Sequence, residues 1–305
     1  MNTSFAIRQQ RQEGGAGSRR IIARTLLLPV LLATLFALAA CTTARLAYTQ
    51  APTLSYWWLD SHFDFDGEQA SQVRGDIDGF FAWHRREELP VYADQLRRWQ
   101  AMAPHDISAD EACQQFETAR RRLVGASERL IEPFARLAPQ LTPAQLEHLN
   151  RRQARSNDEF ARDFLRGTPE QRLQRRLDAT VERYERFYGR LSDAQREGLR
   201  QSLATSPWDA QRTQAERERR QADLLQALRE AQAQPARARA LLRGYAERLV
   251  VSPTPGYAAQ SEAAIRHGCA QFAALHNSAT PGQRERLARQ LQGYEKDLQI
   301  LSAQR

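Results

Sequence analysis

The sequence predicts an all-α protein, a multi-helix bundle whose antiparallel helices are joined by short capped turns. Three observations lead there. No stretch sustains a period-two alternation built on β-branched residues, while Ala, Leu, Gln, Glu and Arg, all good helix formers, dominate. Apolar residues recur at steps of three and four, which places them on one face of a helix. Helix starts repeat one chemistry, a hydroxyl residue followed three positions later by Gln or Glu, so that side chain and backbone cap each other.

Residues 1–40 precede the fold. Arg8, Arg11, Arg19, Arg20 and Arg24 form a basic leader, and the sixteen residues from Thr25 to Ala40 are uncharged and mostly apolar. That run contains Pro29 and falls short of the roughly 20 apolar residues a membrane span needs, so it reads as a secretory signal. It closes on Leu38-Ala39-Ala40-Cys41. This resembles the bacterial lipobox, which implies cleavage before Cys41 and its acylation with palmitate-type chains. Thr42 in place of Asp then implies passage to the outer membrane, with the body facing the periplasm. Ser18-Arg19-Arg20-Ile21-Ile22 also resembles a twin-arginine signal, leaving the export route open.

Residues 41–65 read as a short, irregular, lipid-anchored tether rich in aromatic side chains: Tyr48, Tyr56, Trp57, Trp58, Phe63 and Phe65. Two adjacent tryptophans just past a lipid anchor suit the membrane interface. They suit a lid folded back on the bundle as well, and that is the expectation here, since Leu59, Phe63 and Phe65 also need cover. Trp83, His84, Arg85 and Tyr92 would wall the groove beneath.

The helical body spans 66–305. Val73, Ile77, Phe81 and His84 mark one face of a helix over 67–101, kinked at Pro90. Helices follow over 109–138, 143–166, 169–190, 193–205, 208–233, 235–250, 257–276 and 281–303. Leu173, Leu177, Val181, Tyr184, Tyr188 and Leu191 form one apolar stripe, and Leu287, Leu291, Tyr294, Leu298 and Leu301 another. Such stripes must be buried against each other. The starts are Thr142…Gln145, Thr168…Gln171, Ser192…Gln195, Thr280…Gln283 and Ser108…Glu111, with Pro where its missing N–H costs nothing. Val251 to Gly256 is the clearest linker.

Charge narrows the function. The whole chain is +8, but losing residues 1–40 removes five Arg and one Glu and leaves 39 basic and 35 acidic residues. With 43 Arg, one Lys (Lys296) and no dense basic block after Cys41, the arginines read as solvated helix faces and nucleic acid is not a partner. No Gly-x-Ser-x-Gly, phosphate-cradling glycine loop or two-His helical motif occurs. Cys269 and His267 point apart on a helix, as do Asp76 and Asp78. His62, Asp64 and Asp66 are three ligand types close together, yet the flanking aromatics read as a docked segment, so no metal or cofactor is expected. The prediction is a non-enzymatic protein. With Cys41 acylated, Cys113 and Cys269 are left either as a disulfide in an oxidising compartment or as two buried thiols.

Two resemblances add to this. Tyr56-Trp57-Trp58-Leu59-Asp60 through Phe63-Asp64-Phe65-Asp66 and Gln69, then Trp83-His84-Arg85 to Leu89-Pro90 and Tyr92-Ala93, resemble a family of uncharacterised proteobacterial lipoproteins, a domain of unknown function. That resemblance covers nearly all of the mature chain and implies a lipid-anchored envelope protein without known catalytic residues. Leu141-Thr142-Pro143-Ala144-Gln145 is similar to the Leu-Thr-x-x-Gln motif of the periplasmic Spy/CpxP chaperones, which are all-helical and use it in pairs. Leu191-Ser192 with Gln195 matches with Ser for Thr, and Ala279-Thr280 with Gln283 lacks the Leu. The leading expectation is an outer-membrane lipoprotein that binds another envelope protein through Tyr56, Trp57, Trp58, His62, Asp64, Asp66, Trp83, His84, Arg85 and Tyr92. The alternative is a tethered chaperone that holds unfolded envelope clients.

Overall fold

The structure, a computed structural model, describes residues 44–304. The expected signal segment and Cys41 lie outside the described residues. The chain divides into residues 1–47 and a compact body from Tyr48 onward. Among the described residues every regular element is helical.

The segment expected to be an irregular tether is helical over residues 44–63, called α1 here. Tyr48, Tyr56, Leu59 and Phe63 fall on one side of it, which gives the aromatic run a helix to pay out along. Tyr56 and Phe63 are buried in the first core and Leu59 and Phe65 pack against it. α1 ends on Asp64, whose φ of 54° is left-handed. Its N–H bonds the Asp60 carbonyl at 2.7 Å, and the Asp60 carboxylate accepts from the Phe65 N–H at 3.1 Å.

The helices that follow are α2 (Gly67–Met102), α3 (Ala109–Glu128), α4 (Ile131–Leu137), α5 (Pro143–Phe164), α6 (Pro169–Tyr188), α7 (Asp193–Ala204), α8 (Ala210–Ala233), α9 (Ala238–Val250), α10 (Tyr257–Asn277) and α11 (Pro281–Ala303). The helix expected over 109–138 is broken at Arg129 and Leu130. Pro133 has no N–H to offer the Arg129 carbonyl and its ring crowds that oxygen, so α3 stops and α4 starts afresh. α2, by contrast, continues through Pro90. Gly189 ends α6 at a φ of +77°, a conformation that a side chain rarely adopts.

Every capping box read from the sequence is formed, and Asp66 with Gln69 adds one at the start of α2. Four of these caps meet in pairs. Gln69 Nε2 donates to Gln145 Oε1 at 3.3 Å and Gln145 Nε2 donates back to Gln69 Oε1 at 2.6 Å. Gln195 and Gln283 do the same at 2.9 and 3.1 Å. Each amide oxygen also holds its own helix start, so the starts of α2 and α5, and those of α7 and α11, are tied together.

Two cores flank these knots. The first is built by α1, the N-terminal half of α2, α4, α5, α8 and α9 around Val73, Leu146, Leu225, Leu228 and Leu242. The second joins the C-terminal end of α2 to α6, α7, α10 and α11 around Leu177, Val181, Leu199, Leu275 and Leu287. A small third cluster between α3 and α10 contains the Cys113–Cys269 disulfide, with Cα atoms 5.3 Å apart. On α8, Glu216 is 2% exposed and takes bonds from Arg219, Arg220 and the Thr254 hydroxyl, which pins the 251–256 linker. Tyr188 and His276 close the second core. His276 Nε2–H donates to the His105 carbonyl at 2.8 Å, so Nδ1 accepts from the Tyr188 hydroxyl, also at 2.8 Å.

Candidate functional site: an aromatic and arginine patch on α2

Between the two cores, the middle of α2 turns a run of rings outward. Phe80, Phe81, Trp83, His84 and Tyr92 are all half-buried and belong to none of the three cores. α1 places Tyr48 against them: its ring is edge-on to Phe81 at 5.8 Å and stacked on His84 at 5.9 Å, and its hydroxyl lies 3.0 Å from His84 Nδ1. Tyr92 is 5.5 Å from His84 on the other side. Phe80 touches Trp83 and His84 at 5.6 and 5.7 Å. Helical spacing accounts for this, since 80 and 81 stand four and three residues before 84, and 84, 88 and 92 follow at steps of four.

Charge is set into the rings. Arg85 lies 5.8 Å from the Tyr48 ring centre, and Arg129 sits 4.4 Å over Trp83. Glu88, four residues after His84 and 8% exposed, faces Arg122 of α3 at 3.4 Å. That contact is an ion pair without hydrogen-bond geometry. Glu88 Oε2 and the Nε atoms of Arg85 and Arg122 are buried with no hydrogen-bond partner. Burial, reinforced by Glu88, pushes the Tyr92 hydroxyl up to about 12. Burial holds the His84 imidazole below its ordinary value, with Glu88 pulling the other way. At neutral pH the patch therefore presents a neutral imidazole and a phenol that keeps its proton, together with under-satisfied arginine and carboxylate groups.

The predicted site residues thus separate. Trp83, His84, Arg85 and Tyr92 come together, joined by Tyr48, Glu88, Arg122 and Arg129. The others do not join them. Tyr56 is in the first core with the Arg74 guanidinium 3.4 Å over its ring. Asp64 makes the left-handed turn and Asp66 caps α2. His62 lies against Trp58, ring centres 4.4 Å apart and tilted by 39°, with Nδ1 2.7 Å from the Trp58 carbonyl. Trp57 and Trp58 are 59% and 61% exposed, so they form no lid. The reason is rotational: with Tyr56, Leu59 and Phe63 turned inward, the helix carries Trp57 and Trp58 to its far side. His62, Asp64 and Asp66 are occupied in a ring contact, a turn and a cap, and among the described residues no cluster of His, Cys, Asp or Glu is placed to hold a metal ion.

A family profile matches residues 61–248, from the last turn of α1 through most of α9. The chain belongs to DUF6279, a family of unknown function. The DUF6279 match includes Trp83, His84, Arg85, Glu88, Tyr92, Arg122 and Arg129, and it stops short of Tyr48 at one end and of α10 and α11 at the other. No curated protein and no solved structure matches the chain.

Proposed function

We propose that this member of DUF6279 is a lipid-anchored envelope protein, acylated at Cys41 and facing the periplasm from the outer membrane, that binds another envelope component without transforming it. The α2 patch carries the reading. Tryptophan, tyrosine and arginine are the residues that dominate binding energy when a partner desolvates them, and here they are gathered on a rigid helix outside the packed cores. The Arg85 and Arg129 guanidiniums, set beside the Tyr48 and Trp83 rings, suit a partner's carboxylate or main-chain carbonyl. The Cys113–Cys269 disulfide supports an exported chain.

The test is in-cell cross-linking of the tagged protein followed by mass spectrometry. One or two partners captured at near-stoichiometric yield are expected, and Trp83→Ala or Arg85→Ala should cost that contact about 2 kcal/mol or more. Capture unchanged by both variants would refute the patch as the binding surface.

A second reading, a tethered chaperone-like protein, is favoured by two observations. The capping glutamines work in pairs, as in the family that Leu141 to Gln145 resembles. Phe116, Leu123 and Leu130 also lie exposed at seven-residue intervals along α3 and its end. A broad spread of unrelated envelope proteins, growing under unfolding stress, would support this reading over the first.

A further inference from the structure

The outer face of α1 is unlike any other exposed face of the fold. Within the body, the exposed residues of this helix are Thr49, Gln50, Thr53, Leu54, Trp57, Trp58 and Ser61, and none is charged. Asp60 is the one formally charged residue between Tyr48 and Phe63, and its carboxylate is turned to the Phe65 N–H. Elsewhere the chain covers its helices with charge: α6 exposes Glu170, Arg175, Asp178, Glu182, Arg183 and Arg186. Leu54 is more than half exposed, like the two tryptophans. A helix packed on one side and bare of charge on the other has a second environment to meet.

From these observations we infer that the Leu54, Trp57 and Trp58 face of α1 rests in the headgroup region of the membrane that holds the lipid anchor. This rests on acylation at Cys41, three positions before the first described residue of α1 in the sequence. Tryptophan is the side chain most at home in the interface, where its ring meets acyl chains and its N–H meets headgroups and water. The threonines, glutamine and serine between the large side chains keep hydrogen-bonding groups at that depth. Geometry fixes the attitude. Tyr48 and Trp58 are ten residues apart, about 15 Å along the axis at 1.5 Å per residue, so the face meets a bilayer along its length only when α1 lies in the membrane plane. The buried side of α1 then holds the body above the surface, in the manner of an interfacial helix supplementing a lipid chain.

The experiment uses the mature acylated protein, reconstituted into phosphatidylethanolamine and phosphatidylglycerol vesicles with and without lipids brominated near the top of the acyl chain. The chain has five tryptophans. Brominated lipid should quench the emission, and Trp57→Phe with Trp58→Phe should abolish most of that quenching while leaving the melting temperature unchanged. Equal quenching of the wild-type and the double variant would overturn the inference. So would an unquenched wild-type protein that is fully acylated and vesicle-bound, which would give the face to a protein partner. Acylation is read separately, from the mass of the mature N-terminal peptide, so an unmodified Cys41 would refute the anchoring itself and not be mistaken for a failure of α1.

Discussion

Replacing Gln145 with Ala tests how far the paired caps hold the first core together. Gln145 is 6% exposed and its amide makes four bonds: it accepts from the Thr142 N–H at 2.8 Å and from Gln69 Nε2 at 3.3 Å, and it donates to the Asp64 carbonyl at 2.9 Å and to Gln69 Oε1 at 2.6 Å. At about 1 kcal/mol net each, with buried partners left behind, the loss should be about 4 kcal/mol. Gln69, 2% exposed, accepts from the Asp66 N–H at 3.2 Å and donates to the Gln140 carbonyl at 2.9 Å besides meeting Gln145, so its replacement should cost about as much. The double variant should lose less than the sum, by about 1–2 kcal/mol, because each single change orphans the surviving amide and the double change orphans neither. Urea denaturation followed by circular dichroism gives all three values. Gln171→Ala is the control: the same cap on an exposed amide with no partner glutamine, worth about 1 kcal/mol or less. Singles that add to within about 0.3 kcal/mol would refute the view that the two glutamines act as a unit.

Three further predictions follow from the rest of the fold. The disulfide closes a loop between residues 156 apart, so Cys113→Ala with Cys269→Ala should remove about 5 kcal/mol and lower Tm by about 10–20 °C; a calorimetric shift under about 3 °C would show the crosslink to be dispensable. Burial raises the Glu216 pKa, but hydrogen bonds from Arg219, Arg220, Thr254 and Ser252 outweigh it and hold the carboxyl at about 2. Its stabilisation is therefore complete above its unfolded value of about 4.3 and is lost as pH falls from there toward 2. Glu216→Gln should lower stability at neutral pH and flatten that acid limb, and an acid limb of unchanged slope would contradict the assignment. Tyr188→Phe removes the hydroxyl that His276 Nδ1 accepts from and should cost about 1–2 kcal/mol in urea melts, whereas Tyr294→Phe, at an exposed ring, should cost almost nothing.

What the sequence makes legible is mostly local. Thr142 with Gln145 or Thr280 with Gln283 can be recognised as a helix start because all of its chemistry lies within four residues. The meeting of Gln69 with Gln145, 76 residues away, or of Gln195 with Gln283, 88 away, is set by how the helices pack, and no spacing announces it. α1 was within reach: Tyr48, Pro52, Tyr56, Leu59 and Phe63 follow helical steps, but the density of aromatics and Pro52 mask the period. The candidate site divides in the same way. Trp83, His84, Arg85 and Tyr92 share one helix and so share a surface, and Glu88 could be read from its four-residue offset from His84. Tyr48 and Arg122 reach the patch from α1 and α3, and Trp57 and Trp58 leave it, because a tether was expected where a helix fixes the direction of every side chain.

The Cys113–Cys269 bond also decides what happens when the chain is cut. It joins α3 to α10, so the whole of α4 to α9 and the exposed linker around Val250 and Val251 lie inside a covalent ring. A protease that nicks this linker opens the ring without releasing a piece, and both halves migrate together until the bond is reduced. The fragment carrying α11, which packs along α2, thus stays attached to the fragment carrying the N-terminus. A single scission there would leave the assembled cores in place, and only a gel run with reductant would reveal it.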